Sequence, residues 1–194
     1  MKRMSKRLLW LSVVCLPFFI SSCSTYSVSA QNYPSNTVAY NNNQVASPKP
    51  FTSYSDRLPS HIATGEKTIV IDPSVHAWGA YDTSGSLIRS GLATAGNSWC
   101  PDIKRSCRTR VGTFRIQSLG SASCKSTIYP LPRGGAPMPY CMFFNGNQGL
   151  HGSAPGNVVE GNVSHGCVRM SVSDAEWIRF NFARIGTKVI VRPY

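Results

Sequence analysis

From residue 66 onward, short runs of branched and aromatic residues alternate with turn-forming polar clusters, a pattern that predicts strands. KTIVID (67–72), HAWGAYD (76–82) and SLIRSGLAT (86–94) are the first such runs. DPS (72–74) and DTSG (82–85) supply turn chemistry between them, the second as a hairpin connection. VGTFRIQSLG (111–120), YCMFFNG (140–146), GLHG (149–152) and KVIVRP (188–193) continue the same vocabulary. One segment changes period. In SDAEWIRFNFARIG (173–186), Ser173 and Glu176 form a capping box, Ile178, Phe182 and Ile185 share one helical face, and Gly186 ends the helix. The expected domain is therefore mainly β, with one significant helix just after SHGC (164–167).

The pattern before residue 66 is different. Residues 24–60 are rich in Ser, Asn, Gln, Tyr, Thr and Pro and lack the branched apolar residues needed to offset the entropy of ordering. They read as a linker with a random-coil reach of roughly 30–35 Å. The N-terminus opens with Lys2, Arg3, Lys6 and Arg7, followed by the apolar run LLWLSVVCLPFFI (8–20), which is too short for a comfortable permanent span. ISSC (20–23) then resembles a bacterial lipobox with Cys23 as the lipidated residue; an ordinary secretory signal ending near Ser21–Ser22 is the alternative. The organisation expected is a lipoprotein signal peptide over 1–22, a lipid-anchored linker over 23–65 and one folded domain over 66–194. Ser24, in place of an acidic residue, resembles the pattern that sends lipoproteins to the outer membrane, so a periplasmic, membrane-attached protein is expected. Two acyl chains hold a protein stably where one is marginal.

The whole chain of 194 residues carries a formal charge of +12. Removing residues 1–22 takes four of its 20 basic side chains and none of its eight acidic ones, leaving +8. Such a balance ordinarily suggests nucleic acid. Here the cations are scattered, with no run denser than KRSCRTR (104–110), and an exported protein meets anionic wall polymer and lipid instead. No nucleic-acid partner is expected.

Cysteine arithmetic sharpens the picture. Setting aside Cys15 and Cys23, the folded domain holds Cys100, Cys107, Cys124, Cys141 and Cys167, an odd number in an oxidising compartment. Four of them allow three connectivities. Pairing Cys100 with Cys107 and Cys124 with Cys141 is preferred, because each pair brackets its own polar or Pro/Gly-rich loop. A zinc site is the competing reading, but the spacings lack a close CxxC knuckle, and no metal is expected.

Cys167 is then the odd thiol. With a reference pKa near 8.5, it needs a neighbouring base or cation to act as a nucleophile. His165 lies two residues away and His151 sixteen upstream, while His61 and His76 fall where bland roles suffice. If Cys167 opens the helical region, N–H groups of Gly166, Cys167 and Val168 can face a developing oxyanion. Arg169 adds a cation suited to a substrate carboxylate. The plain alternative is a small buried Cys167 and a satisfied turn histidine.

HG (151–152), an eleven-residue gap and SHGCVRM (164–170) together resemble the signature of the YkuD-type L,D-transpeptidase catalytic domain. DPSVHAWGAYDTSGSLIRSGLATAG (72–96), RVGTFRI (110–116) and APMPYCMFF (136–144) are similar to further segments of that family, so the likeness runs over about residues 66–194. The resemblance implies a β-sandwich-like fold with the helix beside the nucleophile loop. It implies Cys167 as nucleophile and His151 as base, its ring held by a carbonyl near Gly152. Ser164, His165, Gly166 and Gly152 would shape the pocket and oxyanion hole, and Arg169 would position substrate. His165 is the other candidate base, but residues two apart on a tight turn generally diverge. The implied reaction is acyl transfer from a peptidoglycan tetrapeptide stem with release of D-alanine and without a cofactor, by a monomer. Hydrolysis of the same stem and a non-catalytic wall-binding lipoprotein are the rival functions. The four extra cysteines and the 97–110 segment depart from the family pattern and put substrate details in doubt.

Overall fold

The computed structural model describes residues 53–194. The signal segment, Cys15, the lipidation candidate Cys23 and the linker as far as residue 52 lie outside the described residues. Two sheets face each other. The first has the order β3 (Leu87–Leu92), β2 (Ala77–Tyr81), β1 (Thr68–Asp72), β9 (Lys188–Val191), β4 (Gly112–Arg115). The second runs β5 (Ser118–Leu119), β6 (Met142–Asn145), β7 (Gln148–Ser153), β8 (Val168–Ser171). All pairings are antiparallel except β1 with β9 and β7 with β8.

Alternation explains the core. Ile69 and Ile71 of β1, Trp78 and Ala80 of β2 and Val189 and Val191 of β9 pack against Met142, Phe144, Leu150, Val168 and Met170 of the opposite sheet. Yet β1 and β2 are buried at every position, where a strand with one wet face would alternate. Residues 53–65, linker by composition, account for part of the difference. Leu58 is buried against β2, close enough that a Cβ on Gly79 would meet its methyl at 2.9 Å. Tyr81 donates its hydroxyl to Pro59 O at 2.8 Å, and Leu87 N–H reaches Ser60 O at 2.9 Å. The folded body thus begins upstream of residue 66.

The turns form for local reasons. Asp82 Oδ1 accepts the N–H groups of Ser84 and Ser86 at 2.9 and 3.0 Å, and Gly85 takes φ +90°, where a side chain would be strained. The Ser84 hydroxyl, which donates to the same oxygen at 2.6 Å, and then the Ser86 N–H hold the Asp82 carboxyl below its ordinary value.

The helical segment departs from expectation. A strand, β8, intervenes between Cys167 and α1 (Val172–Trp177), so Cys167 opens a strand and not the helix. The cap is Ser171, whose Oγ accepts Asp174 N–H at 3.0 Å, and not Ser173. A single wide turn, Ile178–Phe182, then ends in extended backbone at Ala183, so Ile178 and Phe182 are buried while Ile185 is 70% exposed. Gly186, at φ +89°, donates to Ile116 O at 2.8 Å in the turn before β9. Two disulfides, Cys100–Cys107 and Cys124–Cys141, close their own loops, and Cys167 is a free thiol.

Candidate active site

Parallel pairing of β7 with β8 sets His151 opposite Arg169. Side chains two apart on a strand share a face, so Cys167, just ahead of β8, projects to the same side as Arg169 and His151. Leu150, Val168 and Met170, on the other side, enter the core. Cys167, His151 and Arg169 line one cleft of about 710 Å³. The core therefore fixes the site. A one-residue slip of β8 would bury Arg169 and turn Val168 outward.

His151 is 5% exposed. Its Nδ1–H donates to the Gly152 carbonyl at 2.9 Å, with Ser153 Oγ at 3.4 Å, which leaves Nε2 as the proton acceptor. Gly152 is required by packing. Its N–H donates to Pro139 O at 2.8 Å, and a Cβ there would lie 2.9 Å from Val172 Cα. Burial pushes the His151 pKa down, outweighing the Gly152 hydrogen bond, and Arg169 adds to the lowering. Burial likewise pushes the Cys167 thiol up, against smaller opposing effects of the Gly149 N–H and Arg169. Cys167 Sγ–H donates to Asn147 O at 3.3 Å. Both shifts favour a neutral thiol and neutral imidazole at rest over a preformed ion pair. Burial also lowers the pKa of Arg169. Its backbone exchanges two 2.9 Å hydrogen bonds with Thr94, which anchors β8 to the chain leaving β3.

The nucleophile turn is held by Ser164, which is 1% exposed. Its Oγ accepts Gly166 N–H at 3.0 Å and donates to the Cys167 carbonyl. The Gly166 N–H is therefore engaged, which removes it from the expected oxyanion donors. Gly166 adopts φ +119°, with Gln148 Nε2 3.0 Å from where a Cβ would stand. His165 also lines the cleft, but its ring is engaged elsewhere: Nε2 lies 2.8 Å from Asp102 Oδ2, and the ring sits 4.4 Å from that of Tyr129. Asp102 and Tyr129 come from the two disulfide-closed loops, so those loops meet over the nucleophile turn.

Several participants escaped the sequence reading. Thr109, fully buried, donates its hydroxyl to Gly166 O at 2.9 Å and accepts Gly96 N–H at 3.0 Å. Gln148 joins Arg108 O and Arg110 N–H at 3.1 and 3.0 Å. These contacts link segments far apart in the chain, and no local pattern announces them. Cys100, Cys107 and His165 bring donor atoms within 4.8 Å of one another. The two sulfurs are bonded to each other and His165 faces Asp102, so the group offers no thiolates to a metal.

The family described as YkuD, L,D-transpeptidase catalytic domain, matches residues 66–191. Similar solved structures include an L,D-transpeptidase from Xylanimonas cellulosilytica, 24% identical with TM-score 0.59, covering 69% of this chain and 64% of that one. Another is from Mycobacterium smegmatis, 23% identical with TM-score 0.54, covering 66% and 59%. A third is L,D-transpeptidase 3 from Mycobacterium tuberculosis with a faropenem-derived adduct, 23% identical with TM-score 0.52, covering 66% and 60%. The chain thus spans about three-fifths of the length of these structures, and at such identities the likeness concerns the fold. No curated protein sequence matches the chain.

Proposed function

The chain belongs to the YkuD family of L,D-transpeptidase catalytic domains, and on that premise we propose that it is a cysteine-dependent L,D-transpeptidase acting on peptidoglycan stems. The observation that carries this reading is the free thiol of Cys167 sharing a cleft with a buried His151 whose Nδ1–H is tied to Gly152. His151 Nε2 takes the thiol proton as Sγ attacks the carbonyl of the third residue of a tetrapeptide stem. A C–S bond forms, the bond to the terminal D-alanine breaks, and the imidazolium returns its proton to the departing amine. An acceptor amine then attacks the thioester, giving its proton to His151 and releasing the thiol. With the Gly166 N–H engaged by Ser164, the oxyanion hole in this scheme falls to the Cys167 N–H and its neighbours. Arg169 positions the stem through a carboxylate. A 3-3 cross-link is the expected product. In this reading the enzyme works as a monomer in the periplasm, held through Cys23 to the outer membrane.

The test is intact mass after incubation with purified muropeptides or a carbapenem. Wild type is expected to form an adduct and a D-alanine-free product, and Cys167→Ala neither. Equal adducts on both proteins would sink the assignment of Cys167. Loss of D-alanine without cross-linked product would make the enzyme a carboxypeptidase instead.

A further inference from the structure

The cleft that holds Cys167 is lined by four cations, Arg105, Arg108, Lys125 and Arg169, and by no Asp or Glu. All eight carboxylates of the chain fall within the described residues, so this imbalance has no hidden counterweight upstream. Asp102, on the same loop as Arg105, is taken up by His165 at 2.8 Å; Glu66 and Asp174 pair with Arg115 and Arg89 elsewhere. None of Arg105, Arg108 and Lys125 has an acidic partner within 4.0 Å among the described residues. Two of the four cations, Arg105 and Lys125, sit on the disulfide-closed loops, and Arg108 directly follows the first of them, all outside the family pattern. Arg105 and Arg108 flank Cys107, and Lys125 follows Cys124.

Backbone hydrogen bonds hold the loop segments from which these cations project. Cys100 N–H donates to Arg105 O at 2.9 Å across the first loop. Ser126 N–H to Ala136 O and Met138 N–H to Cys124 O, both 2.9 Å, pin the base of the second. Arg108 lies over the Tyr194 ring at 4.8 Å, which leaves a planar guanidinium presented on a fixed face. A cleft lined by one sign of charge raises the local concentration of its opposite.

We infer that the two disulfide-closed loops form a carboxylate-reading subsite, with Arg105, Arg108 and Lys125 selecting stems that keep their free carboxylates over stems amidated at them. A stem peptide carries such groups on its γ-linked glutamate and, where the third residue is diaminopimelate, on that side chain. Amidation neutralises them without changing the scissile carbonyl. The inference rests on the transpeptidase reading and deepens it.

The experiment compares kcat/KM on a free-carboxylate tetrapeptide stem and on the same stem amidated at both positions, at low and at high ionic strength. Wild type is expected to prefer the free form by about tenfold at low salt, with the preference shrinking as salt screens the cleft. In the Arg105→Gln/Arg108→Gln/Lys125→Gln variant the ratio should fall to about one, while Arg105→Lys/Arg108→Lys retains most of it. The ratio is the readout, so partial misfolding, which lowers both rates, does not imitate the result. Should the triple variant not fold, the wild-type ratio and its salt dependence decide alone. Equal rates on both stems in wild type overturn the subsite and leave the transpeptidase reading standing. An unchanged preference in the triple variant overturns it too. Turnover of neither stem removes the transpeptidase reading and the subsite with it.

Discussion

The two sheets of this domain solve different problems. The strands β1, β2 and β9 are a packing device: Ile69, Ile71, Trp78 and Ala80 are fully buried, and the neighbouring charges are neutralised by ion pairs such as Arg192–Asp72 at 3.2 Å. The strands β7 and β8 spend one face on the same core and the other on a cleft, where a thiol, an imidazole and a guanidinium stand without a carboxylate partner. The adjacent Gly152 carbonyl orients His151, and the hydroxyls of Ser164 and of the remote Thr109 hold the turn that carries Cys167. One sheet serves packing and the other also carries the candidate site, on a shared interior. The lesson is that substitutions on the two sides should separate cleanly in their readouts.

The largest effect should come from His151→Ala, with kcat/KM falling by about 10²–10⁴-fold while near-UV circular dichroism keeps its native form. A fall of less than about tenfold would move the base elsewhere, His165 first. Ile71→Ala on the packing side should do the reverse. It should cost about 2–5 kcal/mol in urea unfolding and leave turnover per folded molecule nearly unchanged. Loss of activity ahead of unfolding would show the two sheets to be coupled more tightly than their packing suggests.

An intermediate effect is expected where the regions meet. Cys100→Ser/Cys107→Ser releases the loop carrying Asp102, and thermal unfolding should report about 2 kcal/mol or less, since the closed loop is short. Activity should drop more than stability does, because His165 loses its fixed partner.

pH sharpens the same contrast. His151 is depressed by burial, so its neutral form stabilises the fold fully above the ordinary histidine value near 6.5, and that contribution drains away as pH falls below it. Cys167 is raised, so its contribution is complete below the ordinary thiol range and is lost as pH climbs towards the folded value. Iodoacetamide alkylation followed against pH should therefore show a midpoint above the usual thiol value near 8.5. A midpoint well below it would indicate a preformed thiolate–imidazolium pair. The smallest effect lies on the packing sheet. Arg115 and Lys188 hold Glu66 down at about 2, so its contribution is present at neutral pH and fades between its ordinary value and that one. Glu66→Gln should lower stability slightly at neutral pH and make no difference near the acid end, as urea titrations at both would reveal.

Some of this was legible from local pattern. TIVID and AWGAY announce strands by composition, and the hairpin at Asp82–Gly85 announces itself by turn chemistry. Parity leaves at least one domain cysteine free, and the bracketing of two loops by the other four, with the neighbours of Cys167, anticipated both the bridges and the free thiol. The strand β8 is not legible in the sequence because VRMS is short and abuts a helix, and periodicity over so few residues does not separate the two. A regular helix running to Gly186 puts Ile185 on the buried face, whereas the chain leaves the helix at Ala183.

By itself the sequence determined that one domain cysteine is left over from disulfide pairing and marked most of the extended segments, because cysteine number and side-chain alternation are read directly from it. The tertiary structure alone decided which histidine shares the reactive face of Cys167. Parallel pairing of β7 with β8 brings His151 there across sixteen residues of sequence, while a turn pinned by Ser164 sends the neighbouring His165 to Asp102 and Tyr129. That choice rests on strand register and on a buried hydroxyl, both enforced by core packing that no single segment contains.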